Sequence, residues 1–265
     1  VDAPPPLPVA ADATRAAGTP PPLPSVDDAQ RTAVRRLPNF LDDAEVRRAL
    51  DVCDELRDKV ASLARDGRGL AALGAWRTYY LHTNDAFRSA APGLHAKIAS
   101  AAAEGWGDAP AVANLRVRNL EFHEARDGGA LPDEHHRDDG SWATIDVMLS
   151  EDFEGGHFET LEEDGTFVRP VFQRGDALVF CSHKKHCVRP VSKGVRRVLV
   201  MELWFGPPRT CGHRCESRGA CGYARHASEL ASCLQLGRGG VDDEYRRAVA
   251  DLARRVAAAA PSEEA

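Results

Sequence analysis

No window of this chain is apolar for long enough to cross a bilayer, which takes about 20 consecutive apolar residues. Positive charge is not in excess either. With 34 Lys and Arg against 40 Asp and Glu, the net charge is -6 at pH 7, which argues against a general nucleic-acid binder. Cys211, Cys215, Cys221 and Cys233 lack the spacings of the common structural zinc sites, because they read Cys-x₃-Cys and Cys-x₅-Cys. No recognisable substrate-binding motif is present. An initial Met is missing too, as expected of a trimmed or processed chain, so the lack of a signal peptide says little about targeting. A secretory lumen with paired cysteines and a cytoplasm with reduced ones both stay open. What remains is a chain of 265 residues, 43% hydrophobic and 28% charged, in the range of a soluble protein with one substantial domain and additions.

The most informative residues are His136 and Asp138, with His186 fifty positions after the first. Two imidazoles and one carboxylate are the facial triad that binds non-haem Fe(II) and leaves positions open for co-substrate and O₂. In extended backbone, residues i and i+2 point the same way, so His136 and Asp138 can grip one ion while Arg137 faces elsewhere. His186 would come from a second strand laid alongside. A His-x-Asp triplet alone is more often plain surface polarity; the context between the two halves is what raises it. Residues 142–149 read as a strand in which Ala143, Ile145, Val147 and Leu149 alternate with Thr144, Asp146 and Met148. A Gly155-Gly156 turn, a strand near 157–161, and Gly175-Asp176 opening a strand over 177–180 follow. Short strands separated by turns predict an antiparallel barrel or jelly roll.

In order along the chain stand His136-x-Asp138, Leu149-Ser150, Phe153-Glu154-Gly155-Gly156, Gly175-Asp176-Ala177-Leu178-Val179-Phe180, the run His186-x-Val188-x-Pro190-Val191-x-x-Gly194-x-Arg196, and Trp204. Over roughly residues 115–205 this resembles the 2-oxoglutarate and Fe(II)-dependent dioxygenases, most closely the prolyl 4-hydroxylase-like branch. The resemblance implies an α+β, mainly β fold: a double-stranded β-helix (jelly-roll) core over 111–208, buttressed by helices within 35–110. It implies His136, Asp138 and His186 as Fe(II) ligands, and Arg196 as the cation that holds the far carboxylate of 2-oxoglutarate. Arg197 is adjacent, but neighbours on a strand face opposite sides, and the motif's register selects Arg196. Ascorbate as reductant and O₂ as oxidant come with the same likeness. The reaction it implies is hydroxylation of an unactivated C-H bond, in first place that of a prolyl residue in a peptide or protein, with 2-oxoglutarate converted to succinate and CO₂. Lysyl-hydroxylase-like or small-molecule oxygenation are alternatives, and so is a catalytically silent peptide-binding jelly roll that uses the loop 124–134 as a mobile lid. Asp138 argues against a halogenase, which lacks that carboxylate. Glu202, six beyond Arg196, stands where nucleic-acid demethylases carry a second arginine.

One family feature is absent. Many relatives place a tyrosine before the His-x-Asp, against the co-substrate carboxylate, yet residues 114–123 contain none. His123 could donate a hydrogen bond instead, or be an ordinary solvated strand histidine; Asn119, Tyr79 and Tyr80 are further substitutes.

The flanks read differently. Pro4-Pro5-Pro6-Leu7-Pro8 recurs as Pro20-Pro21-Pro22-Leu23-Pro24, and residues 1–34 are expected to be a disordered or polyproline tail, a plain linker in first place, with docking of a partner through the repeated pentamer as the alternative. Asp42 with Glu45 three residues on predicts a capped helix start, followed by an apolar stripe of Val46, Ala49, Leu50, Cys53, Leu56, Val60 and Leu63. A second helix is expected over 85–103, interrupted at Pro92-Gly93. Residues 183–197 carry six Lys or Arg and no acid; a solvated face is the usual meaning, with Lys184 and Lys185 the first candidates for steering anions toward the metal. The segment 209–265 holds four cysteines with His213 and His226, for which two disulfides, free thiols and zinc are all open, and it closes in a helix carrying Tyr245, Val249, Leu252 and Val256.

Overall fold

In the computed structural model, residues 25–60, 62–64, 75–106 and 115–215 are described. They lie within the first of two units of the chain, residues 1–218. The organising element is the nine-residue strand β13 (Arg196–Trp204), which pairs antiparallel with β4 (Arg116–Ala125) on one side and β6 (Ala143–Met148) on the other. Outward from these run β10 (Ala177–Cys181) and β1 (Arg35–Leu37) at one edge, and β3 (Trp76–Tyr80) and β2 (Ser62–Ala64) at the other. The result is a seven-stranded sheet of order β1-β10-β6-β13-β4-β3-β2. A smaller sheet has the order β5-β11-β8-β9, from Leu131–His136, His186–Val188, Phe158–Leu161 and Phe167–Val168; β7 (Phe153–Gly155) pairs with β12 (Val191–Gly194).

The period of two along each central strand sorts side chains into two environments. Ile145 and Val147 of β6, Val179 of β10, Leu199, Met201 and Leu203 of β13, and Leu120 and Phe122 of β4 join one buried core. That core is shared with helix α2 (Asp43–Leu56), α3 (Ala86–Ala90) and α4 (Pro92–Trp106), so the helices cover the outer face of the large sheet. A fully buried Leu, Ile, Val or Met contributes about 1.5–3 kcal/mol relative to exposure, which makes this face the main source of cohesion. The alternate residues, among them Leu178, Phe180 and Val198, turn the other way, toward β5, β8 and β11. The site lies on that inner face.

The helix start at Asp42 is a capping box: the Asp42 carboxylate accepts from the Ala44 and Glu45 amides at 2.8 Å each, and Glu45 accepts from the Asp42 amide at 2.9 Å. The helix ends at Leu56, so Val60 and Leu63 of the expected stripe fall beyond it, Leu63 on β2. The second helix divides into α3 and α4 at Ala91. Residues 35–110 were expected to be helical support; they also contribute β1, β2 and β3 to the large sheet.

Three expectations need correction. The tail assigned to 1–34 contains a helix, α1 (Val26–Arg31), capped by Ser25, with Ala29 and Gln30 buried; residues 1–24 lie outside the described ones. Its order comes from tertiary contact: Lys184 Nζ donates to the Gln30 carbonyl at 2.8 Å, and the Lys185 amide donates to Gln30 Oε1 at 3.2 Å. Lys184 is therefore no anion guide, being wholly buried and paired with Glu162 at 2.8 Å. The loop 124–134 is not an open lid but a turn pinned on β12, where the Gly128 amide donates to Val191 O at 2.8 Å and the Val191 amide to Gly129 O at 3.0 Å. The C-terminal helix, Cys221, Cys233 and His226 lie outside the described residues. Cys53, Cys181 and Cys187 are buried thiols. Among the described residues, no helix is long and apolar enough to cross a membrane.

Candidate metal centre and co-substrate pocket

His136 closes β5 and His186 opens β11, and the two are directly opposite in the register of that strand pair. Asp138 falls two residues past the end of β5 rather than within a strand, yet it projects to the same side. Its backbone N–H is fixed by Ser182 O at 2.8 Å. His136 Nε2 lies 3.4 Å from Asp138 Oδ1, and His186 Nε2 lies 3.8 Å from Asp138 Oδ2. One ligand atom from each of the three falls within 4.8 Å of the others, and all three residues are buried. Arg137 turns away to Asp139 at 3.2 Å.

The surroundings fix these side chains in coordinating form. His186 Nδ1 is 2.9 Å from the Lys184 carbonyl, which can only accept, so the proton sits on Nδ1 and Nε2 offers its lone pair toward the centre. Phe158 and Phe180 hold the same ring at centroid distances of 5.5 and 5.1 Å. Burial pushes the His186 pKa down to about 4, against the pull of Asp138, so the imidazole is neutral near pH 7. Burial acts to raise the Asp138 carboxyl, but His186, His136 and Arg214 outweigh it and hold the group well below the usual carboxylate range. Thr144 Oγ1 donates to Asp138 Oδ2 at 2.7 Å, and Arg214 Nη2 donates to Oδ1 at 3.2 Å.

A narrow cleft of about 40 Å³ adjoins these three side chains. Arg196 reaches into it from the first position of β13 and is 2% exposed, with Nε and Nη2 unpartnered. Arg197 faces the opposite side, where its Nε donates to Glu124 Oε1 at 3.1 Å. Of the basic run, Arg189 pairs with Glu134 and Glu159, and Lys193 with Glu154. Burial lowers Arg196 to about 10, with Asp146 acting in the opposite sense, so the guanidinium stays charged without a bonded counter-ion. Gly156 makes room for it: a Cβ there would stand 2.9 Å from Arg196 Cδ, and its φ of +61° suits glycine.

His123 also lines the cleft; its Nε2 is 2.5 Å from Glu121 Oε2, and its ring meets Trp76 edge-on. Tyr79 points to the helix side and stacks on Phe122, while Asn119 donates to Glu121 and Glu202. Two cleft residues were not singled out from sequence. Asp146 on β6 has a buried Oδ1 without a partner, and burial together with Asp138 raises its carboxyl well above the usual range despite Arg196. The alternation with Ile145 and Val147 carried that signal: a polar residue opposite a helix-packed face has to point inward. Arg214 comes from the segment after β13, contacts Glu202 Oε1 at 2.8 Å, and had no sequence cue.

A two-imidazole, one-carboxylate set with an orphaned cation in the adjoining cleft fits a divalent iron together with a dianionic chelating acid. No protein-family model matches the chain, and no curated protein does. Among solved structures, it is similar to a 2OG-Fe(II) oxygenase family oxidoreductase from Burkholderia pseudomallei at 14% identity, covering 72% of this chain and 93% of that one with a TM-score of 0.50. The fold is that of a 2OG-Fe(II) oxygenase. The epimerase SnoN of nogalamycin biosynthesis (18% identity, 67% and 80% covered, TM-score 0.49) and a Pseudomonas putida prolyl-4-hydroxylase (21%, 68% and 96%, 0.45) are also similar. In the terms of this oxygenase fold, His136 and His186 lie on the small sheet, and Arg196 on the large sheet that faces it.

Proposed function

We propose that the protein is a 2-oxoglutarate- and Fe(II)-dependent oxygenase that hydroxylates an unactivated C-H bond, with His136, Asp138 and His186 as the iron ligands. The observation that carries this reading is the conjunction in one cleft of a buried three-ligand cluster and a buried, charged, unbonded Arg196. Iron, 2-oxoglutarate and O₂ supply the oxidising power, the co-substrate leaving as succinate and CO₂, with ascorbate as reductant.

The chain's own residues prepare that chemistry. His186 presents a fixed Nε2 lone pair because its Nδ1–H is committed to Lys184 O. Asp138 stays ionised, steadied by Thr144 and Arg214. Arg196 offers N–H donors to the far carboxylate of 2-oxoglutarate, and pairing would relieve the unbonded state of its guanidinium. Asp146, whose carboxyl burial and Asp138 push well above the usual range, faces the same cleft and could take the place of the missing tyrosine, whereas His123 is engaged by Glu121. Trp76, Leu131, Phe158, Val188 and Val198 line the remainder with apolar surface that limits water. A prolyl residue of a peptide or protein is the favoured substrate on the strength of the sequence motifs from His136 to Trp204 alone.

The test is anaerobic titration of the apoprotein with Fe(II) and 2-oxoglutarate, following the weak visible charge-transfer band of the chelate. The expected result is a band in wild type that His136→Ala abolishes and that Arg196→Ala shifts to far higher co-substrate concentration. A folded wild type without a band overturns the proposal. Succinate release with prolyl peptides then tests the substrate.

A further inference from the structure

Apart from the iron-type cluster, one other group of ligand-bearing side chains converges among the described residues. Cys211, His213 and Cys215 each bring one ligand atom to within 4.8 Å of the others. Cys215 is buried, and Cys211 and His213 are half-buried. The positions i, i+2 and i+4 fall in the segment after β13, which is tied to the domain at its backbone carbonyls and through the Arg214 side chain. The Asn84 amide donates to Thr210 O at 2.8 Å, and Arg118 Nε donates to Cys215 O at 2.8 Å. His82 Nε2 is 3.1 Å from the His213 carbonyl, which can only accept, so that nitrogen carries a proton and donates it. Three carbonyls are thus bound to the barrel and its flanking turn, and Cys211 Sγ donates to the His213 carbonyl at 3.7 Å.

From this convergence we propose that the turn 211–215 binds Zn(II) through Cys211 Sγ, the His213 ring and Cys215 Sγ. Two thiolates and an imidazole form a soft-to-borderline donor set suited to zinc, and a turn already fixed at its carbonyls lowers the entropy of assembling it. Water would fill the fourth position. The ion is structural in its effect on the first site: Arg214 lies between two of the three ligands, and its guanidinium reaches Asp138 and Glu202. Zinc in the turn would therefore hold Arg214 against the iron-binding carboxylate. This zinc site stands whether or not the oxygenase reading does.

The experiment uses the full chain carrying His136→Ala and Asp138→Ala, which removes the other cluster and makes the outcome independent of iron chemistry. Elemental analysis after purification should find about one zinc per chain. Cobalt substituted for it should show thiolate-to-metal charge transfer and the intense d-d bands of a tetrahedral site. Cys211→Ser or Cys215→Ser in the same background should lose both signals. Should those variants fail to fold, wild type titrated with a mercurial thiol reagent should release zinc to a chromogenic chelator. Absence of zinc from the folded double variant, a cobalt spectrum without thiolate bands, zinc retained in full by Cys211→Ser, or a disulfide between Cys211 and Cys215 in the purified chain would each overturn the proposal.

Discussion

Replacing Arg196 with methionine should move stability and co-substrate affinity in opposite directions. The guanidinium is buried and holds its charge without a bonded counter-ion, and its pKa falls from 12.5 to about 10. At about 1.36 kcal/mol per pH unit, that drop corresponds to roughly 3 kcal/mol by which the folded apoprotein is strained at neutral pH. An unfolded arginine carries its proton freely, so the folded state bears the whole penalty. Methionine keeps much of the apolar stem and removes the charge, and a buried charge replaced by an apolar side chain of similar length is often stabilising. Urea unfolding of metal-free protein should therefore show Arg196→Met more stable than wild type, by up to about 3 kcal/mol. On the proposed function, the same substitution would deprive 2-oxoglutarate of its cation. Truncating one member of a buried, hydrogen-bonded charge pair costs about 2–5 kcal/mol, which is between about thirty-fold and a few thousand-fold in Kd. The assay pairs urea curves of apoprotein with anaerobic co-substrate titration. A variant that is less stable than wild type by more than about 1 kcal/mol, yet binds 2-oxoglutarate within about threefold of it, would refute the reasoning.

Gly156→Ala puts a methyl group 2.9 Å from Arg196 Cδ and 3.0 Å from Val191 Cγ2 at a φ of +61°. The expected result is a stability loss of about 1–3 kcal/mol and weaker 2-oxoglutarate binding; unchanged affinity in the titration would show that Arg196 is not held by this turn. Lys184→Met removes the buried ammonium that binds Gln30 O and Glu162, and should cost about 3 kcal/mol in urea unfolding while exposing residues 25–34 to limited proteolysis. Burial and Arg88 depress the pKa of His95 below 6.5. The unfolded chain takes up a proton near pH 6.5 that the folded ring refuses, so the stability tied to this ring is intact above that pH and declines below it, until the folded pKa is passed. Denaturation midpoints at neutral and mildly acidic pH should therefore differ less in His95→Gln than in wild type; an equal difference would exclude His95 as a contributor.

The convergence of His136, Asp138 and His186 was legible because two local rules coincide there: side-chain alternation along extended chain, and a turn-separated series of short strands. Alternation required Arg196 and Arg197 to face opposite sides and the register of the resembled motif selected Arg196; the structure has the former in the cleft and the latter against Glu124. What escaped the sequence depends on contacts distant along the chain. β1 has three residues and no pattern of its own, and it exists through pairing with β10. Helix α1 is too polar and short to be seen by periodicity, and Lys184 from more than 150 positions away secures it. The basic run 183–197 looked like a charged face, but its carboxylate partners come from β5, β7, β8 and the 162 turn, which no local window contains. Arg214 followed the end of every recognisable motif, so nothing in its neighbourhood marked it as a contact of Asp138.

Lys184 joins two things that the sequence keeps far apart. Its ammonium grips the carbonyl of Gln30, while its own carbonyl accepts the Nδ1 proton of His186. The helix that carries Gln30 and the ring of His186 therefore share a common anchor, so whatever shifts residue 184 shifts both.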